Sequence, residues 1–381
     1  MFEKKALPLQ PEKTQRMQQR TSDTIRFMRL PLAIAIVFQH SYGLISSARP
    51  ADADALLSWQ MLDWMRGIFS WVMTGATIPV FAIIAGYLFF QQWERDENGL
   101  LLWSWRTYAR KIRSRLFSLL LPYVIWNLLA AWYMHSDWTW DILWSINSWG
   151  HGNTNIFGQT LWPTYAPLNA PLWFIRDLFI ICLAAPLVYP IIRYGRWVTL
   201  AGILLVYALQ FPAWTPSICL MPWFIVGAWL AVFGKDLSTV AVKLWTPWLW
   251  IGICLSPILL PLDGIWLGIA KPLIMFHLCL FYFRSATWIV EHKPWKTPEM
   301  LSRASVPVYA GHMGLGVLNT AAGWVSGWIP DTSCAWLLVC RYFLAPTLCI
   351  VIIVAVFAIL YPSLLATILS GTKPSFLQKK G

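Results

Sequence analysis

The stretch Trp336-Leu-Leu-Val-Cys-Arg-Tyr-Phe-Leu-Ala-Pro-Thr-Leu-Cys-Ile-Val-Ile-Ile-Val-Ala-Val-Phe-Ala-Ile-Leu-Tyr-Pro362 carries a single charged residue, Arg341. At ~1.5 Å rise per residue, a helix of this length crosses a ~30 Å hydrocarbon core. Lipid offers no partner for a polar backbone, so such a run must be helical. Similar apolar runs lie at 28–47, 67–90, 112–134, 172–194, 197–212, 217–234, 245–262, 266–284 and 304–322. The reading is an all-α polytopic membrane helix bundle of about ten transmembrane helices. The fifth run is short and bounded by Phe211-Pro212, so joining it to the sixth would change the count.

Composition agrees, with 58% hydrophobic and 12% charged residues, far too apolar for an ordinary soluble domain. The net charge of +12 suggests nucleic acid until its distribution is read. With the amino terminus inside, 24 of the 29 Lys and Arg fall in inner segments, and Arg49 and Arg66 alone lie in outer loops. That asymmetry is the positive-inside signal, and it predicts both ends in the cytoplasm and no nucleic-acid partner. Residues 1–25 form a polar cytoplasmic segment with Lys4, Lys5, Lys13, Arg16 and Arg20. No small-residue cleavage site follows the first apolar run, which reads as an uncleaved helix. The membrane domain is expected over 26–366, followed by a cytoplasmic tail, 367–381. The seven cysteines have no metal or redox spacing and read as packing residues.

Two stretches lie outside the spans. The outer loop 135–171 carries Trp138, Trp140, Trp144, Trp149 and Trp162 with no Lys or Arg, and is expected on the outer leaflet. The inner segment Trp105 to Arg115 reads as a basic amphipathic helix leading into the third span. Arg110, Lys111, Arg113 and Arg115 there serve either as anchors to anionic lipid or as a clamp for the phosphates of a cytoplasmic ligand.

Ionisable groups inside a bilayer are costly and mark candidate sites. Arg29 opens the first span, and His40 lies eleven positions, ~16 Å, further in. His312 lies nine positions, ~13 Å, beyond Arg303 in the ninth span, which runs the same way. Two imidazoles are therefore expected at similar depth. They are either hydrogen-bonded packing residues or a general base able to take a proton from an alcohol attacking a carbonyl. His277 is a third member or a packing residue. His135, His151 and His292 read as solvated.

Near the outer surface Arg176, Lys271 and Arg341 begin three helices that run inward. Either they pair with Asp177, Asp263 or Asp331, or they form a basic vestibule for an anionic acceptor such as a uronic acid or a phosphate-linked glycan. Arg176 and Asp177, as sequence neighbours, are expected on different helix faces and so not to pair directly. No His/Asp/Glu cluster has metal-ligand spacing, so no metal is expected. Neither a nucleophile elbow nor a phosphate-binding glycine loop is present.

Arg29-Leu-Pro-Leu-Ala-Ile-Ala-Ile-Val-Phe-Gln-His40 resembles the signature of the acyltransferase-3 family of integral membrane O-acyltransferases, an Arg and a His separated by ten residues. Further stretches are similar to that family in the same order. They are Pro79-Val-Phe-Ala-Ile-Ile-Ala-Gly-Tyr-Leu88, Lys111-Ile-Arg-Ser-Arg-Leu with Leu121-Pro-Tyr-Val-Ile-Trp126, Leu172-Trp-Phe-Ile-Arg176, and Ser302 to His312 with Tyr309. The family often has Asp three residues before the signature Arg, where this chain has Arg26.

The resemblance implies a stand-alone module in a bacterial cytoplasmic (inner) membrane. It implies transfer of an acyl group, usually acetyl, from cytoplasmic acetyl-CoA or another acyl-CoA to a hydroxyl of an extracytoplasmic saccharide or lipid-linked glycan. Arg29 and the basic inner segment would hold the phosphates of coenzyme A. His40 would serve as base or transient acyl carrier, with His312 orienting it or stabilising charge, and Arg176, Lys271 and Arg341 would receive the acceptor. A glycolipid transporter or flippase with a histidine proton relay shares the same charge map but needs no thioester. A catalytically silent sensor or assembly partner is a third reading, and homo-oligomerisation stays open.

Overall fold

The computed structural model describes residues 11–44, 53–67, 69–70, 74–134, 147–148, 153–154, 160–161, 165–208, 216–244, 265–293, 296–330, 334–361 and 363–372. Helix α1 (Pro11–Ser41) joins much of the polar amino-terminal segment and the first apolar run in one continuous element. Its polar half is held by side chains from distant parts of the chain. Arg20 donates to Glu291 at 2.9 Å and to Thr239 at 2.7 Å, and the Thr21 hydroxyl donates to Asp236 at 2.5 Å. These bonds give residues 11–25 a fixed place against α9 (Leu237–Leu244) and α10 (Ile265–His292).

Helix α2 (Ala53–Gly67) ends where the expected second span, 67–90, begins, and α3 (Thr77–Phe90) forms the rest of that span from Thr77 on. Helix α3 is the centre of the core. It crosses α8 (Pro216–Val232) with Gly86 against the Phe224 carbonyl and Gly227 against the Ile83 carbonyl, so a Cβ at either glycine would overlap backbone. This reciprocal contact is the small-residue packing that lets membrane helices approach closely. Phe89, Phe90 and Phe224 fill the space beside the crossing, all fully buried.

The basic helix α4 (Trp105–Arg115) starts at Ser104, whose hydroxyl accepts from the Thr107 amide at 3.3 Å. It passes through a π-helical turn at Leu116–Leu120 into α5 (Leu121–Tyr133), in line with the expected entry into the third span. The expected fourth and fifth spans differ from what is seen. Helix α6 (Trp173–Leu183) breaks at Ala184, and α7 (Ala185–Ala208) leaves it at 67°, with a second kink at Arg196 (φ 47°). The expected ninth span is also two helices, α11 (Glu299–Gly314) and α12 (Val317–Trp328). Gly316 turns the chain between them at φ 61°, where a side chain would meet the ring of Tyr133. Hydropathy cannot register these breaks because the residues on both sides are apolar.

The opening stretch forms α13 (Ala335–Leu360), and a short α14 (Leu364–Leu369) follows. Among the described residues, three helices are long and apolar enough to cross a membrane, and five if each bent pair is one span. The chain is thus a helical protein with several candidate spans. The described part of the outer loop pairs Asn147–Ser148 with Tyr165–Ala166 and Asn153–Thr154 with Thr160–Leu161, both antiparallel. The seventh apolar run and the five loop tryptophans lie outside the described residues.

Candidate active site

Helices α1 and α11 lie side by side. At one end of the pair the Ser302 hydroxyl meets the Arg26 carbonyl at 3.4 Å, and at the other the rings of His40 and His312 sit 5.2 Å apart, centroid to centroid. The depth argument from the sequence is therefore correct in its main point: two imidazoles from different helices meet. His312 is wholly buried, with Nδ1 3.2 Å from the Val308 carbonyl. A carbonyl only accepts, so Nδ1 carries a proton, and in the neutral ring Nε2 keeps its lone pair. Nε2 is buried without a hydrogen-bond partner among the described residues. His40 is exposed. The arrangement is one accessible imidazole backed by one that is inaccessible and fixed in tautomer.

One turn before His312, Tyr309 donates its hydroxyl to the Pro171 carbonyl. Asn169 donates to the Ala310 carbonyl at 2.9 Å, while its own amide donates to Asn127 Oδ1 at 3.0 Å. Gly314 leaves the room that the Asn169 side chain occupies. These bonds tie the start of α6 to the helix that bears His312.

Two cavities open around the amino-terminal end of the same helix pair. The wider, about 1180 Å³, is polar and carries Arg16, Arg26, Arg29, Arg115 and Arg303 on its walls with Glu299. The narrower, about 260 Å³, is lined by Phe81, Ile84, Phe174, Ile175 and Val306 and reaches Tyr309. Arg29, Arg115, Ser118, Ser302, Arg303 and Thr372 border both. A cationic chamber thus continues into an apolar one. Such a pair suits a polyanionic ligand with a long, weakly polar arm.

Of the expected phosphate-binding residues, Arg29 and Arg115 line these cavities and Arg110, Lys111 and Arg113 do not. Lys111 instead donates to the Leu88 and Gln91 carbonyls at 3.1 and 2.8 Å, closing the carboxy-terminal end of α3. Arg110 bonds Thr107 of its own helix.

The expectation that Arg176 and Asp177 face apart is overturned, since Nε of Arg176 lies 2.8 Å from Oδ1 of Asp177. The guanidinium stem is long enough to fold back along the helix, and a carboxylate only 2% exposed strongly favours a paired cation. Arg341 is 6% exposed and donates to the Ile329 carbonyl at 3.1 Å. Each of these cations thus has its own protein partner; the side chain of Lys271 lies outside the described residues. His277 bonds the Leu273 carbonyl of its own helix at 2.6 Å.

Sequence reasoning missed Arg16, Arg26 and Arg303 as cavity residues, although their charge at the edges of apolar runs was a visible signal. It also missed Ser118 and Thr372, for which no signal exists in the sequence. Among the described residues no group of three His, Cys, Asp or Glu side chains comes together.

Compared with known proteins, residues 23–366 match the family model described as "Acyltransferase domain". The chain belongs to the acyltransferase-3 family. The ordered motifs around Arg29, His40 and His312 fall within the matched region. Over 205 residues it is 29% identical to the succinoglycan biosynthesis protein ExoH of Rhizobium meliloti (strain 1021). That match spans 51% of this chain and 49% of the relative, about half the length of each. No solved structure matches the chain.

Proposed function

We propose that this protein transfers an acyl group, acetyl or a similarly small one, from a coenzyme A thioester to a hydroxyl of an extracytoplasmic saccharide or lipid-linked glycan. One observation carries the reading: the two helices that bring His40 and His312 within 5.2 Å also border, at their other ends, a cation-lined cavity. The arginines match the phosphates of the donor. The apolar chamber reaching Tyr309 matches its arm, directed along the α1–α11 pair toward the imidazoles. Relationship to a protein named for succinoglycan biosynthesis supports a polysaccharide acceptor. The charge asymmetry supports about ten spans, both ends in the cytoplasm and a bacterial inner-membrane location.

In this reading His40 takes the proton from the acceptor hydroxyl as its oxygen attacks the thioester carbonyl carbon. The tetrahedral adduct then collapses with cleavage of the C–S bond, and the proton on His40 passes to the departing thiolate. If the acyl group rests on His40 first, the imidazole nitrogen attacks the thioester carbon, the C–S bond breaks and the thiolate leaves with the ring proton. The glycan oxygen then attacks the acyl carbon, and its proton returns to the imidazole as the C–N bond breaks. His312 supports either route by confining His40 beside a fixed, neutral ring. Arg176, Lys271 and Arg341 remain the proposed acceptor side.

The test uses purified protein in lipid with radiolabelled acetyl-CoA and extracted envelope glycans, His40→Ala beside wild type. Label reaching glycan only with His40 intact is the expected result. Glycolipid movement without thioester consumption would favour the flippase reading instead.

A further inference from the structure

The narrow passage where the two cavities meet is bordered, besides motif residues such as Arg29, Arg115 and Ser302, by parts of the chain that the motifs quoted above leave out. On one side stands the π-helical turn Leu116–Leu120, in which the Leu121 amide bonds the Leu116 carbonyl. π-Turns inserted in α-helices recur at functional sites because they displace one side chain out of the regular spiral. The polar side chain within this turn is Ser118, which borders both cavities. Its Oγ is buried and has no hydrogen-bond partner among the described residues.

Packed against it is the hook that ends α14. The Thr372 amide bonds the Thr367 carbonyl at 3.1 Å and the Gly371 amide bonds the Ile368 carbonyl at 3.1 Å, the paired pattern of a Schellman cap. Gly371 takes φ 64°, and a Cβ there would come within 2.8 Å of both the Ser118 carbonyl and Pro122 Cγ. Trp126 Nε1 donates to the Leu369 carbonyl at 3.0 Å, clamping the hook to α5. Hook and π-turn are therefore packed backbone to backbone. Within the hook the Ser370 and Thr372 hydroxyls bond each other at 3.0 Å, and Ser302 across the passage bonds the Arg26 carbonyl. Ser118 differs from these neighbours in having its hydroxyl unmatched.

An unmatched buried hydroxyl is costly, and it is retained where a ligand completes it. We propose that Ser118 is a donor-binding residue. Rotation about χ1 swings its hydroxyl into the passage, where it hydrogen-bonds an amide of the pantetheine arm as the arm threads from the polar chamber into the apolar one. The hook from Ser370 to Thr372, packed on the same side, holds the turn that carries Ser118 rigid. This inference rests on the thioester-donor reading above. A ligand confined to the wide chamber has no reason to touch Ser118, whereas a ligand with an amide-bearing arm must pass it.

The experiment is calorimetric binding of two probes to the full chain in lipid nanodiscs. Coenzyme A carries the arm; adenosine 3′,5′-bisphosphate is a nucleotide without it. Ser118→Ala should weaken coenzyme A about tenfold, the worth of one hydrogen bond in a desolvated site, and leave the bisphosphate unchanged. Ser118→Thr, which keeps the hydroxyl, should restore coenzyme A binding. Equal weakening of both probes, or none of either, overturns the assignment. Equal affinity of the wild type for the two probes also overturns it, because the arm then contributes nothing. A wild-type protein that takes up neither probe instead removes the thioester-donor reading on which the assignment stands.

Discussion

His40 and His312 differ in what surrounds them, and in the proposed transfer that difference divides their work. The exposed ring can meet a substrate; the buried ring, held at Nδ1 by the Val308 carbonyl, can only support its neighbour. Replacing His40 with Ala should lower the transfer rate by about 10²–10⁴-fold, the usual contribution of a positioned base, with donor affinity unchanged by calorimetry. The cavity arginines separate in the opposite way. Arg115→Gln should weaken coenzyme A binding about tenfold and flatten its salt dependence, because one desolvated charge pair is lost. Lys111, only four residues away, lines neither cavity and is engaged with α3 carbonyls. Lys111→Met should leave donor affinity intact and lower the unfolding temperature in detergent, since each lost bond to a buried carbonyl costs about 1–3 kcal/mol. The sequence shows five cations in this helix but not which of them turn toward a ligand. Orientation about a helix with partners on several sides is a tertiary matter.

At the scale of elements, the crossing of α3 and α8 supports everything else. Gly86 and Gly227 each meet the other helix's backbone, so the smallest addition displaces a whole element. Gly86→Val should abolish folded, monodisperse protein on size-exclusion chromatography, whereas Gly323→Ala, with open space around its Cβ, should not. The spans read from hydropathy are right where a helix is straight, as for residues 336–360, and too simple where it bends. The breaks at Ala184 and Gly316 leave no mark in hydropathy. At the second, glycine is required by the positive φ and by Tyr133, brought there from a distant part of the chain.

At the scale of the whole molecule, the cation-lined cavity and the imidazole pair lie toward opposite ends of α1 and α11, which gives the proposed transfer a direction. Inverted membrane vesicles should consume externally supplied acetyl-CoA, and right-side-out vesicles of the same preparation should not; the reverse pattern would invert the proposed topology. By itself the amino-acid sequence determined the helical membrane class, the charge asymmetry, the family resemblance and the Arg29–His40 spacing. All of these depend on local composition or on distance along one helix, where rise per residue is constant. Only the tertiary structure decided that Arg16, Arg26 and Arg303 join Arg29 and Arg115 around one cavity, that Arg176 folds back onto Asp177, and that the chain's last described residues close on Ser118. Those outcomes depend on which helix faces meet. Between segments as uniformly apolar as these, that choice is made by a few glycines, prolines and buried hydrogen bonds acting across long sequence separations.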